Sequence, residues 1–176
     1  MVFSSAIFLF VFLPIVCALY FCAPGIKAKN ALLIIASLIF YAFGEPVYIL
    51  LMLASIAVNY MFGRLIGVFS KNENQAGRKI CLILAVIANI GVLGVFKYTG
   101  FIVENLNHIN GINIKNPNIA LPIGISFFTF QALSYVIDVY REPKLEQKNL
   151  FNLVLYVSFF QQLIAGPIIR YNEIAK

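Results

Sequence analysis

The residues with the chemistry to act gather in the last third of the chain. On a helix from Leu121, Gln131, Ser134, Tyr135 and Asp138 fall at i, i+3, i+4 and i+7, which places them along one face. Phe128, Phe130, Leu133, Val136 and Ile137 occupy the opposite side. Gln161 and Gln162 follow inside a later apolar segment, with Ser158, Gln162 and Gly166 on one i, i+4 row. Amides and hydroxyls of this kind do not ionise near neutrality. They hydrogen-bond, either as glue between helices, with Asp138 paired to Arg141, or as the wall of a polar tunnel or substrate cavity. Both readings stay open from the residues alone.

Groups for other chemistries are scarce. His108 is the single histidine and lies in an Asn-rich stretch. Ser126 follows Gly124-Ile125, but Phe128 takes the place of the second glycine of a nucleophile elbow. Cys17, Cys22 and Cys81 are odd in number and lack the spacing of a metal site, so they read as small lipid- or helix-facing residues. Asn59 and Asn89 read as intramembrane helix glue, and Gly91 and Gly94 as points of close helix approach. No catalytic residue, metal ligand or bound cofactor is assigned.

The elements that must position these side chains are apolar. Of the 176 residues, 61% are hydrophobic and 11% charged, and the mean hydropathy is +0.90. Soluble domains carry roughly twice that share of charge, so a water-soluble domain and a disordered chain are both excluded. A single all-α domain spanning residues 1–176 is expected, a polytopic transmembrane bundle of about six segments. The segments run from Phe3 to Ala23, Ala31 to Phe43, Val47 to Phe62, Ile80 to Phe96, Leu121 to Val139 and Leu150 to Ala165. The second is only about 20 Å long as a helix, so it must borrow the Lys29–Asn30 end or form a tight hairpin. Arg64 to Lys79 reads as a polar loop, and Tyr98 to Ile119 as an extramembrane connection. Gly166-Pro167 ends or kinks the last span.

The net charge of +6 comes from Lys and Arg in the connections rather than from a nucleic-acid-binding stripe. The first, third and fifth loops hold nine Lys and Arg and the second and fourth hold two. That bias predicts cytoplasmic odd loops and an extracytoplasmic N-terminus. Met1 to Ala23 carries no charged side chain, which favours a retained span over a cleaved signal peptide.

Several stretches together carry a resemblance: Phe10-Val11-Phe12-Leu13-Pro14, Ser37-Leu38-Ile39-Phe40-Tyr41-Ala42, Gly94-Val95-Phe96-Lys97-Tyr98, the run from Leu121-Pro122-Ile123-Gly124 through Gln131 to Arg141, and Phe159-Phe160-Gln161-Gln162-Leu163-Ile164-Ala165-Gly166-Pro167. In this order they resemble the membrane-bound O-acyltransferase family, in its bacterial alginate O-acetyltransferase branch. The resemblance implies a multi-pass protein of the bacterial cytoplasmic membrane. It would move an acetyl or other acyl group from a cytoplasmic donor such as acetyl-CoA to an extracytoplasmic polysaccharide or its carrier protein. It further implies a catalytic histidine well beyond the Gly-Pro motif, a position His108 does not match. The chain is therefore expected to be an N-terminal part of a larger bundle, inactive without the remaining C-terminal part or other subunits. The alternative is a small non-catalytic membrane subunit or a transporter fragment.

Overall fold

A computed structural model describes residues 6–109, 115, 120–165 and 169–174. The molecule is 84% helical, with no strand among the described residues. Helix α1 (Phe8–Cys22) opens with one π-helical turn over Phe8–Phe12; α2 is Gly25–Gly44, α3 Tyr48–Lys71 and α4 Gln75–Asn107, the last containing a π turn at Gly94–Tyr98. Then come α5 (Ile125–Arg141), a 3-10 turn at Pro143–Leu145, α6 (Leu150–Ser158), α7 (Phe160–Ala165) and α8 (Tyr171–Ile174).

Three of these helices, α2, α3 and α4, are long and apolar enough to cross a membrane; Phe8–Cys22 and Leu150–Gln162 are shorter apolar stretches. The six expected segments thus resolve into three full-length spans and shorter helical pieces. The second span does borrow the Lys29–Asn30 end, and more. It begins at Gly25, so that its 20 residues reach about 30 Å, the thickness of a hydrocarbon core. Lys27 and Lys29 lie in its first turns instead of in a loop, and the Lys29 ammonium sits 4.9 Å over the Tyr20 ring. The polar loop expected from Arg64 shrinks to Asn72–Asn74, because α3 runs on to Lys71 and α4 starts at Gln75. Asn74 caps α4 by accepting from Gly77 N at 2.8 Å. The expected connection after Lys97 is helical as far as Asn107; Thr99 and Asn105 turn their side chains back onto the carbonyls of Val95 and Phe101. Asn110, Asn113, Asn116, Asn118 and the Gly166-Pro167 motif lie outside the described residues.

Helix α5 is the centre of the bundle. Phe128, Ala132, Tyr135, Val136 and Val139 are fully buried, and α3, α4, α6, α7 and α8 all pack on it. Of the side expected opposite the polar stripe, Phe128 and Val136 are buried too, Leu133 and Ile137 are half-buried, and Phe130 is exposed. Gly124 starts the helix with φ of 77°, a left-handed turn that glycine enters at low cost. On α3, Gly63 and Gly67 sit one turn apart where Tyr135 and the Glu146 carboxylate press against the backbone, and a Cβ at either would collide. Large apolar side chains such as Phe10, Phe21, Phe43, Leu50 and Phe101 point outward, as a lipid-facing surface requires.

Several polar groups inside the bundle pair with one another. Asn59 and Asn89 exchange amide hydrogen bonds of 3.1 and 2.8 Å between α3 and α4, and each donates its second N–H to the carbonyl four residues back. Glu146 is held by Arg64 and by Lys71, the latter at 3.6 Å. Arg78 donates to Tyr140 O at 2.6 Å and stacks on the Tyr140 ring. With the up-and-down course of α2, α3 and α4, these ties place the ends of α2, α3, α4 and α5 that carry Lys27, Lys29, Arg64, Lys71, Arg78, Lys79 and Arg141 at one end of the molecule, with Lys144 and Lys148 in the segment that follows.

Candidate functional site

The interior polar site begins at a break in a helix. Leu150 to Ser158 forms α6, with Asn149 capping it through Phe151 N at 3.0 Å. At Phe159 the backbone swings to φ −56°, ψ 117°, and helix resumes as α7. A break inside an apolar segment exposes a carbonyl and an N–H that lipid cannot satisfy. Two side chains from other helices take them up. Gln131 of α5 donates from Nε2 to Tyr156 O at 2.7 Å, and Ser37 of α2 accepts from Phe160 N at 3.3 Å. Gln131 Nε2 also donates to Gln162 Oε1 across the break.

The remaining expected residues divide around this point. Ser134 is half-buried, donates to Gln131 O at 2.9 Å and lies 3.1 Å from the Tyr156 hydroxyl. Tyr156 in turn donates to Ile169 O at 2.7 Å. Tyr135 is fully buried, with Gln147 N 3.4 Å from its hydroxyl and the Tyr171 ring 4.9 Å away edge-on. Asp138 is buried and accepts from Asn172 N at 3.2 Å. It does not pair with Arg141: among the described residues the ion pairs are those of Glu146, and Arg141 is exposed at the helix end. Gln161 is exposed and takes no part in the cluster, because the change of direction at Phe159 turns it outward while Gln162 stays half-buried. The row of Ser158 and Gln162 is likewise interrupted. Ser158 Oγ and Thr129 Oγ1 are buried without a partner among the described residues.

Residues that spacing did not single out complete the site. Tyr156, Gln147, Tyr171 and Asn30 join Gln162 and Leu33 around a cleft of about 440 Å³. Asn30 belongs to the first turns of α2 and Gln147 to the segment beside Glu146, so the cleft opens at the cationic end. Tyr171 accepts from Gln147 Nε2 at 2.9 Å; burial raises its phenol pKa above the ordinary value, with that hydrogen bond opposing the rise. The four-residue spacing of Tyr156 and Phe160 around an unbroken-looking apolar run gave no local signal of the break. His108 lies away from this cluster, exposed at the end of α4 with Nδ1 2.7 Å from Glu104 O.

Fold and site together define a helical membrane protein with a hydrogen-bonded polar interior that opens to one end. The sequence is similar to the probable alginate O-acetylase AlgI of Pseudomonas aeruginosa, 42% identical over 178 residues, covering 99% of this chain and 34% of that protein. It is 40% identical to the protein of the same name from Azotobacter vinelandii, over 99% of this chain and 35% of that one. A peptidoglycan O-acetyltransferase of Helicobacter pylori is 36% identical over 98% of this chain and 38% of its own length. The chain thus spans about a third of the length of the curated relatives it matches, in their N-terminal part. No protein-family model and no solved structure matches it.

Proposed function

We propose that this chain forms the N-terminal helical part of a membrane O-acetyltransferase, folded as one domain. The observation that carries the proposal is the 42% identity to an alginate O-acetylase across 99% of the chain. The polar interior between α5, α6 and α7 supports it, since groups bonded there could wall a path for an acyl group. In this reading acetyl-CoA or another acyl donor approaches the cationic end, which faces the bacterial cytoplasm by the positive-inside rule. That sets α1 with its N-terminus on the extracytoplasmic side. The acceptor is a hydroxyl of an extracytoplasmic polysaccharide or of a carrier that serves it.

Acyl transfer forms a bond from the acceptor oxygen to the acyl carbon and breaks the bond from that carbon to the thiol sulfur. The hydroxyl proton needs a base. His108 is not in reach of the polar interior, so this chain's residues bind and align, and the base is supplied from outside them. Gln131, Ser134, Tyr135, Asp138 and Gln162 line or brace the path; Gln161 lies off it. The test is to exchange the matching segment of the Pseudomonas aeruginosa protein for this chain and measure O-acetyl groups on secreted alginate. Acetylation by the chimera is expected. A chimera present in the membrane at normal amounts but yielding unacetylated alginate would overturn the proposal. The purified chain alone is expected to form no ester from acetyl-CoA.

A further inference from the structure

The amide chain at the helix break has a fixed polarity, and that polarity selects a ligand. Tyr156 O is a carbonyl and can only accept, so the Gln131 atom 2.7 Å from it must be the nitrogen. The same nitrogen meets the Gln162 amide and presents its second N–H there, so the Gln162 atom facing it must be oxygen. Gln162 is thereby turned with Oε1 inward. Its Nε2, with two N–H donors, is left for the cleft that Gln162 lines, and has no acceptor among the described residues.

The two tyrosines beside it do not reverse this. The Tyr156 hydrogen is spent on Ile169 O. Tyr171 already accepts from Gln147, and its own hydrogen has no acceptor among the described residues. The Asn30 and Asn152 amides, elsewhere on the wall, both donate and accept, but at Gln162 and Tyr171 the free groups are donors, and a ligand group seated against them must bring an oxygen acceptor. Lys29 and Lys148 adjoin the lining residues Asn30 and Gln147 in sequence and carry positive charge at this end of the molecule. An acyl thioester on a phosphorylated arm matches both, with acceptor-only carbonyls at one end and negative charge at the other.

We propose that Gln162, held donor-outward by Gln131, donates a hydrogen bond to the carbonyl oxygen of an acyl thioester bound in the cleft. This rests on the acyl-transfer reading above and names the residue that receives the donor. Gln162 is the binding group and Gln131 its positioning residue. Donation to that oxygen draws charge from the acyl carbon and readies it for attack.

The experiment uses the purified chain in lipid nanodiscs and acetyl-CoA labelled with ¹³C at the thioester carbonyl, read by infrared spectroscopy. Saturable binding is expected, with the carbonyl band at or below its position in water. Gln162→Glu keeps the oxygen that Gln131 needs but removes the outward donors; it should weaken binding by about tenfold or more and raise the band toward its aprotic-solvent position. Gln131→Glu should raise the band in the same direction, because a carboxylate there draws the Gln162 N–H inward, an effect that mere loosening of the bundle would not give. Gln75→Glu, the same change at the start of α4, should leave both readings unaltered. Absence of saturable binding, a wild-type band already at the aprotic position, or an unmoved band in Gln162→Glu overturns the inference. If a variant loses its helical circular dichroism, the wild-type band decides. The two proposals fail separately: an inactive chimera with a persistent band shift removes the acyl-transfer reading, and an active chimera without the shift removes the role of Gln162.

Discussion

Replacing Gly63 by alanine should damage the bundle out of proportion to one methyl group. The new Cβ would lie 2.5, 2.6 and 2.7 Å from the hydroxyl oxygen, Cε1 and Cζ of Tyr135, where ordinary contact starts at 3.4 Å. The ring would have to withdraw by roughly 0.8 Å in a densely packed interior. It has nowhere to go: Tyr135 is fully buried, Tyr171 stands edge-on at 4.9 Å and Gln147 N lies 3.4 Å from its hydroxyl. The methyl is fixed to the backbone of α3, so α3 and α5 must move apart. Overpacking of this kind costs about 1–3 kcal/mol, and the absence of slack puts Gly63→Ala in the upper half of that range. Reversible unfolding of the purified chain in mixed micelles by a rising fraction of sodium dodecyl sulfate measures it. Gly91→Ala is the control: Gly91 and Gly94 are not the points of close helix approach that the sequence suggests, since a Cβ at either meets nothing within 4 Å, and the change should be neutral or stabilising by up to about 1 kcal/mol. Tyr135→Leu should recover part of the loss in the Gly63→Ala background and lower stability in the wild-type background. Equal stability of Gly63→Ala and Gly91→Ala would refute the reasoning.

Three further outcomes are expected. Asn59→Leu and Asn89→Leu should each destabilise by about 1 kcal/mol by stranding the other amide, and the double variant should cost less than the two together, as a double-mutant cycle by the same titration would reveal. Ser37→Ala removes an acceptor for Phe160 N at the helix break and should speed amide hydrogen exchange there by about tenfold, read by mass spectrometry, while exchange in the α3–α4 turn stays unchanged. Tyr171 has a folded phenol pKa above its unfolded value of 10.0, so the folded form favours the protonated ring. The stability it contributes is complete below pH 10 and falls as pH rises toward the folded pKa; Tyr171→Phe should flatten that decline in alkaline unfolding curves.

Periodicity revealed where helix would form but not where it would stop. The stripe of Gln131, Tyr135 and Asp138 does lie inside the bundle, because amides and carboxylates must leave lipid whatever they bond to. Its partners were out of reach of local reading: Tyr156 O becomes available only because the chain breaks at Phe159, and neither proline nor glycine marks that position. Span ends were misplaced for a related reason. Arg64 looks like the end of an apolar run, yet α3 continues past it, since Glu146, distant in sequence, supplies its counter-charge. Lys27 and Lys29 look like a loop but serve as the first turns of α2, their long stems reaching past apolar neighbours to hold charge at the edge. Separating Gln162 from Gln161 required the change of backbone direction that no single segment encodes.

The paired amides of Asn59 and Asn89 also bear on how the chain is made. Either one alone is an amide that a lone helix would carry into hydrocarbon with its oxygen and one N–H unpaired. Only three residues, Asn72 to Asn74, separate their helices, so the two can meet as soon as α4 leaves the ribosome. Biogenesis is then expected to hold α3 at the insertion machinery until α4 arrives and to release them as one hairpin. Nascent chains stalled before Asn89 should stay crosslinkable to the translocon, and those stalled well after it should not.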